Sequence, residues 1–459
     1  MASTRVYRTL AANSEKKGSI SVWFKLGDIS SADRVIIGSY YDGTYHSAIK
    51  VNSDNRINIF DYRSGFVSNL TPYRMLRDPA AWYHLVFEWD TTQGAAADRN
   101  KIYINGVQET SFETETNYSA DDIPCWNRDY TLSIGARNSD QYYDGEMSHL
   151  YFIQGYAYPA STFGSSNATD GIWEINTAAT VNYTGTGTNS SFLKFEDSSN
   201  LDLDSGSNTN TFTTSGTLTA TKDNPSNNFC TLNPGKRSNG STYTFSNGNT
   251  KYSTSGGSSW YQSGGTISAT KGKYYYEIDV TTYSSGSSLG QYGWGAVDMQ
   301  QITLDLANPL GKLDTSGGSI VKYAPLAGFY DTGALMFSTT SSQDNQTNSY
   351  FTAVTGTCVL MIAVDLDNGR FYVGKDGTWD TTSSSDPNAG TGGYSFTPGG
   401  FNFTPVFAAY GGNTMTVNFG NGHFGATAIG SPVSAGEGLW KYTPPTNYGA
   451  FCTKNINAA

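Results

Sequence analysis

Trp82-Tyr83-His84-Leu85-Val86-Phe87-Glu88-Trp89-Asp90, followed by Lys101-Ile102-Tyr103-Ile104-Asn105-Gly106-Val107, is the stretch that decides the fold. Apolar side chains recur at every second position, so one face of each segment meets a core and the other meets solvent or a further layer. Asn105-Gly106 is a two-residue hairpin signal, because both residues tolerate the positive φ of a type I′ turn. The same alternation runs through Ser19–Lys25, Ala48–Val51 and Arg56–Phe60. No sustained 3.6-residue period competes with it, so residues 1–165 are expected to form a β-sandwich.

Outward from that region the composition is consistent. The chain has 459 residues, enough for two or three domains, and only 15% of them are charged. Small polar residues and aromatics fill the deficit, with 51 Gly, 32 Tyr, 23 Phe and 9 Trp. Tyr and Phe favour pleated surfaces, while Gly, Asn, Asp and Ser supply turns. Lys and Arg number 28 against 39 Asp and Glu, a net charge of −11. That balance argues against gripping nucleic acid through phosphates, and against anionic membrane surfaces. No run approaches the roughly 18 apolar residues of a membrane span. Met1-Ala2-Ser3-Thr4-Arg5-Val6-Tyr7 lacks the apolar run of a signal peptide, so synthesis and folding in a reducing cytosol are expected. Cys125, Cys230, Cys358 and Cys452 are scattered singly and read as buried free thiols.

Residues 166–235 turn Ser/Thr/Asn/Gly-rich and read as a connecting segment, with Phe192–Phe195 and Thr211–Thr213 as isolated short strands. Its Trp173, Phe192 and Phe195 suggest packing on one or both modules. A second module is expected over 236–430, with strands at Tyr274–Val280, Gly293–Val297, Cys358–Val364, Arg370–Val373, Pro405–Tyr410 and Met415–Phe419. Turns fall at Asp367-Asn368-Gly369 and Lys375-Asp376-Gly377. Residues 431–459, with Pro444-Pro445, read as an extended C-terminal tail. The expectation is an all-β chain of two jelly-roll or β-sandwich domains in tandem.

The Trp82–Asp90 and Lys101–Val107 pair, with Tyr143-Asp144-Gly145-Glu146-Met147-Ser148 as a closing strand, resembles the laminin-G/pentraxin-like, concanavalin-A-type sandwiches. The second module resembles a SPRY domain through Gly272–Glu277, Gly293-Trp294-Gly295, Ala363–Tyr372, Thr404–Phe407 and Val417–Gly420. The tandem, with its Asn227–Pro234 joint and Lys441–Pro445, resembles virion proteins of tailed phages. The resemblance implies binding without chemistry: a virion surface or tail-associated protein that recognises host surface glycans or neighbouring virion proteins. The partners it implies are other virion proteins and host cell-surface glycan, in a homo-oligomer within the particle. The alternative is a purely structural capsid decoration or scaffold protein; a polysaccharide hydrolase is a third reading.

Glu277-Ile278-Asp279-Val280 imitates the start of the Glu-x-Asp-x-(x)-Glu strand used by jelly-roll glucanases, but Thr281, Thr282 and Tyr283 follow where the second Glu belongs. One acid without its partner runs neither retaining nor inverting chemistry, so no enzyme activity is expected. His46, His84, His149 and His423 are the only histidines, and His84 and His149 read as packed strand residues. Calcium is the one cofactor weighed, because the laminin-G resemblance implies loop carboxylates for that hard cation. Asp42, Asp140 and Asp144 are its candidates, with Asp121 and Asp122 further off. Asp202 and Asp204 match only the first two ligand positions of an EF-hand loop. The ligand-facing candidates are loop aromatics, on which sugar rings stack while Asn and Asp bind hydroxyls. They are Tyr40, Tyr41 and Asp42, Trp126, Tyr142 and Tyr143, Trp260 and Tyr261, and Trp379. The plainer reading of each is loop packing or a subunit contact.

Overall fold

A computed structural model describes residues 3–29, 32–184, 188–235, 243–254, 260–282, 290–296, 326–330, 335–338, 357–381, 384–396, 402–410 and 414–459. Ser259, Tyr283 and Val297, which belong to expected segments, lie outside them. The chain divides into two compact units, residues 1–220 with 224–226 and residues 221–223 with 227–459. Both are β-sandwiches, as the alternating sequence requires. Among the described residues the one α-helix is Thr453–Ala458.

In the first unit an eight-stranded antiparallel sheet runs in the order Phe112–Thr116, Phe66–Pro72, Ile57–Arg63, Tyr45–Val51, Arg34–Tyr40, Thr131–Ile134, Arg5–Thr9 and Thr213–Ser215. The second sheet runs Ser191–Leu193, Glu146–Gln154, Lys17–Lys25, Trp82–Asp90, Asn100–Ile104 and Val107–Gln108. Register explains which side chains enter the core. Ile37, Ile49, Ile59 and Leu70 stand opposite one another on four successive strands and all point inward. Leu85, Phe87 and Trp89 answer them from the other sheet. The Asn105-Gly106 turn has φ of 48° and 77°, as expected for type I′, and the Asn105 side chain accepts the His84 amide at 2.8 Å.

The stretch read as a connector is divided between the units. Ser191–Leu193 pairs with Glu146–Gln154 and Thr213–Ser215 pairs with Arg5–Thr9, so neither strand is isolated. An unpaired strand leaves its backbone groups without partners, and adding to an existing sheet edge satisfies them. Trp173, Val181 and Tyr183 pack on Val86, Tyr151, Phe163 and Phe192, outside the six-stranded sheet. Residues 227–235 belong to the second unit, where Cys230 and Leu232 join the core.

The second unit pairs Tyr243–Ser246, Lys251–Thr254, Thr414–Asn418, Lys273–Thr282, Cys358–Asp365, Arg370–Lys375 and Thr378–Trp379 in one sheet, with Tyr394–Ser395 beside Arg370–Lys375. The other sheet orders Trp260–Gly264, Phe403–Tyr410, Gly290–Ala296, Leu326–Tyr330 and Leu335–Ser338. Tyr274, Tyr276, Ile278 and Val280 face the core between the two sheets. Tyr275, Glu277 and Asp279 necessarily face away, by the two-residue period of a strand. The C-terminal segment is no free extended tail. It carries the hairpin Val433–Ala435 with Gly438–Trp440 and the terminal helix. Trp440, Tyr448, Ala450 and Cys452 seal an outer cluster around Tyr275 and Tyr372. All four cysteines are free and buried.

Candidate functional site

The outer face of the eight-stranded sheet in the first unit gathers rings. Tyr40 stands opposite His46, His46 opposite Tyr62, and Tyr62 opposite Phe66, with Phe60 two residues along the same strand as Tyr62. Because opposite residues in an antiparallel pair share a face, this row points away from the isoleucine core. Ring centroids separate Tyr40 and His46 by 5.9 Å, His46 and Tyr62 by 5.3 Å, and Tyr62 and Phe66 by 5.3 Å. At the end of the same strand Tyr41 is 65% exposed and its ring lies 5.2 Å from Tyr130, while Phe66 is 55% exposed. Polar groups flank the rings: the Arg137 guanidinium sits 6.0 Å above Tyr40, and the Lys50 ammonium 5.8 Å from Phe60. His46 is buried beneath them, and that burial together with the charge of Arg137 pushes its pKa below the ordinary imidazole value. Imidazole beside the half-buried phenols of Tyr40 and Tyr62 makes an amphipathic surface, with apolar ring faces and hydroxyl edges together.

Of the expected loop aromatics, Tyr40 belongs to this surface, whereas Tyr41 packs on Tyr130 and, one residue along the chain, turns to the other side of the sheet; Asp42 closes the turn beside it. Asp42 is occupied: its carboxylate accepts the amides of Thr44 at 2.7 Å and Tyr45 at 2.8 Å. Trp126 and Tyr143 are corrections. Trp126 is fully buried, stacked 6.5 Å from Trp89 in the core. Tyr143 is buried too, and its hydroxyl donates to the Lys25 carbonyl at 2.8 Å. Trp126 lies in the 3-10 helix Cys125–Asn127 and Tyr143 in a loop, and the sandwich draws both rings inward, a choice that local sequence does not reveal. Tyr142 is half-buried next to Tyr143. Trp260 and Tyr261 lie in the strand Trp260–Gly264, not in a loop, and their side chains fall outside the described residues. Trp379 is half-buried against Tyr275, with ring centroids 6.2 Å apart. Phe60, Tyr62 and Phe66 were missed by the sequence reading, although Ile57-Asn58-Ile59-Phe60-Asp61-Tyr62 carries their alternation: a ring at the polar-face position was the available signal.

The calcium candidates do not converge. Asp140 pairs with Arg137, and Asp144 lies buried 3.9 Å from the Arg34 guanidinium. Burial outweighs the pull of Arg34 and raises the Asp144 pKa to about 6. Asp121 and Asp122 are bonded to Lys16 and Arg63. Asp204 accepts the amides of Phe192, Gly206 and Asn210, each at 2.8 Å, and so caps a loop. Calcium takes six to eight oxygens, and among the described residues no three His, Cys, Asp or Glu side chains are placed to hold a metal.

Glu277 is wholly buried and its carboxylate accepts four donors. They are the Tyr275 hydroxyl at 3.0 Å, the Asn418 amide at 3.0 Å, and the backbone amides of Lys441 at 2.9 Å and Tyr442 at 2.8 Å. Burial raises its pKa and those bonds oppose the rise. The carboxylate fastens the C-terminal segment to the sheet.

His84 is likewise committed. Trp173 Nε1 donates to its Nδ1 at 2.9 Å, so its Nε2 proton donates to Ser21 Oγ at 2.9 Å. Its ring stacks between Trp23, 4.7 Å away, and Trp173, 6.0 Å away, and burial lowers its pKa to about 3.

Residues 4–157 match the family model of the concanavalin A-like lectin/glucanases superfamily, of laminin G type. That segment of the chain is similar to concanavalin A-like domains of the lectin/glucanase type. No curated protein sequence matches the chain. Among solved structures, the chain is similar to mouse laminin alpha1 chain domains LG4-5 at 8% identity, covering 97% of this chain and 92% of that one, with a TM-score of 0.29. It is also similar to the heptameric SAP-like pentraxin of Limulus polyphemus (16% identity, 38% and 86% covered, TM-score 0.27) and to the SPRY domain of human HERC1 (9%, 40% and 96%, TM-score 0.24). No part of the functional reading rests on similarity at that level.

Proposed function

We propose that the chain is a recognition protein without catalytic chemistry, whose first unit binds saccharide on the outer face of its eight-stranded sheet. The observation that carries this is the surface of Tyr40, Tyr62 and Phe66 around His46, flanked by Arg137 and Lys50. Sugar rings present apolar C–H faces that stack on such rings, while cationic and hydroxyl edges meet their oxygens. The lectin/glucanase-like character of residues 4–157 supports the same ligand class. Absence of catalysis is supported by Glu277, whose four hydrogen bonds leave it a structural anchor. The setting we propose is the outside of a bacteriophage particle, tail-associated or on the surface. There, other virion proteins and copies of the same chain are neighbours, and host surface glycan is the ligand. That setting rests on the tandem's resemblance to virion proteins.

A glycan array probed with the full chain tests the reading. Saccharide signal that Tyr62→Ala with Phe66→Ala removes supports it. Binding that the double variant leaves unchanged overturns this surface as the site. Release of reducing ends from polysaccharide, lost in Glu277→Gln, overturns the non-enzymatic part. A cryo-EM map of an intact particle lacking the chain would remove the proposed setting.

A further inference from the structure

The outward face of the second unit's larger sheet is covered in one row and open in the next. Glu277 stands opposite Asn418, and that row lies under the C-terminal segment. Two residues along, Asp279 stands opposite Thr416, and Thr416 opposite Lys251, so three neighbouring strands place a carboxylate, a hydroxyl and an ammonium side by side. Among the described residues, the hydrogen bonds that fasten the C-terminal segment to the Glu277 row do not extend to this one. Instead this second row floors a cavity of about 410 Å³, walled by the hairpin of His423–Phe424 with Thr427–Ala428 and by Lys441. The volume falls within the roughly 300–1,000 Å³ of small-molecule sites.

Three features of this cavity point to a ligand. Thr416 is only 5% exposed, yet its Oγ1 has no hydrogen-bond partner, a costly state for a buried hydroxyl. Two ammoniums, Lys251 and Lys441, line the cavity against one carboxylate, Asp279. Lys375 and Asp376 lie nearby, offset each other in charge and do not line it. Finally, the hairpin comes close through Gly425, at φ of 60°, where a Cβ would meet Asn247 Nδ2 at 3.0 Å and Thr416 Cγ2 at 3.2 Å. A side chain there would press on the residues that shape the floor.

We infer that this cavity binds a carboxylate-bearing polyol of monosaccharide size, an acidic sugar. The unmatched positive charge of Lys251 and Lys441 takes the carboxylate, Asp279 accepts from ring hydroxyls, Thr416 Oγ1 completes its missing bond, and Phe424 offers a ring face at the wall. A neutral sugar leaves the surplus charge unmet, and a bare inorganic anion leaves Asp279 opposed to it. The site lies wholly in the second unit and does not depend on saccharide binding by the first.

Titration of the full, isotope-labelled chain with sodium glucuronate, glucose and sodium sulfate in turn, followed by NMR chemical shifts, tests the assignment. Glucuronate is expected to bind with a Kd on the order of 1 mM, set by its dozen or so heavy atoms. Glucose is expected to bind at least about tenfold more weakly. Thr416→Val removes a hydroxyl that has no partner and should leave the thermal midpoint unchanged or raised, while weakening glucuronate about fivefold or more. Lys251→Met should weaken it similarly. Lys441→Met, at an exposed position, provides the charge test should Lys251→Met fail to fold. Equal binding of glucose, sulfate as tight as glucuronate, or no shift at about 20 mM glucuronate would each overturn the assignment.

Discussion

The two outer faces of the first unit are both lined with aromatic residues and a histidine, and they have opposite fates. On the six-stranded sheet, Trp23 and His84 lie under Trp173, and chain beyond residue 155 closes over Val86 and Tyr151. On the eight-stranded sheet, His46 lies under Tyr62 and Phe66, and Phe66 remains 55% exposed. The covered face stabilises; on the other face Phe66 stays exposed, and binding there is what we propose. A ring on the polar-side position of a strand therefore marks a layer to be covered, but whether the cover is the chain itself or a ligand depends on residues far away in sequence. Substitutions on the two sides should separate stability from binding.

The largest effect is expected where a ring is sealed completely. Trp126→Ala removes a side chain packed on Trp89 and should lower the unfolding free energy of the first unit by ~3–5 kcal/mol, measured by denaturant titration. A loss below about 1 kcal/mol would mean the loop collapses into the space or that the ring is not core. Acid should act next in size, through His84. Its folded pKa of about 3 lies below the unfolded value near 6.5. The unfolded state therefore takes up a proton first, and the contribution of neutral His84 is intact above pH 6.5 and lost as pH falls toward 3. Between pH 7 and 4 this amounts to about 3 kcal/mol, at ~1.4 kcal/mol per unit. His84→Gln should be less stable at pH 7 and show a flatter decline with acid; an identical slope would assign the acid sensitivity to other groups. His46 on the other face is also buried and its pKa is also lowered, but its cover is the row of rings on its own sheet.

Much of the architecture was legible because it is carried by local alternation. The Trp82–Asp90 and Lys101–Asn105 pair, the Asn105-Gly106 turn and the Lys273–Thr282 strand all express a two-residue period that any sheet would impose. The site was legible in part. Tyr40-Tyr41 stood out as adjacent rings beside a turn, and Tyr40 belongs to the outer face while Tyr41 packs on Tyr130. Trp126 and Tyr143 looked alike in composition but are core, because their burial depends on Trp89 and Phe24, dozens of residues away. The calcium set was illegible for the same reason: Asp140 and Asp144 are each claimed by an arginine, Arg137 nearby and Arg34 on a distant strand. The row Lys251–Thr416–Asp279 joins residues up to 165 positions apart, and no sequence spacing announces it.

Glu277 occupies the covered row of the second unit as His84 occupies the covered face of the first. Glu277→Gln replaces one acceptor oxygen by a donor, so at least one of the four donors aimed at it, among them the amides of Lys441 and Tyr442, loses its partner. The expected cost is ~1–3 kcal/mol, read as faster proteolysis in residues 431–442 with the first unit's unfolding unchanged. Unaltered proteolysis would show that Trp440 and its neighbours hold the segment without the carboxylate.

The smallest change in stability should accompany the largest change in binding. Phe66 is 55% exposed and Tyr62 is half-buried, so replacing both by alanine removes limited buried surface and should move the unfolding free energy by no more than about 1 kcal/mol in all. If saccharide stacks on these rings, each lost ring face weakens binding, and the pair should reduce affinity by at least about tenfold. The informative result is the ratio of the two effects. A variant that unfolds readily would place Tyr62 and Phe66 with Trp126, as rings that hold the fold. A variant that is stable and still binds would show that the open face is only polar-side packing left uncovered. Stability retained with binding lost is the outcome that distinguishes a recognition surface from both.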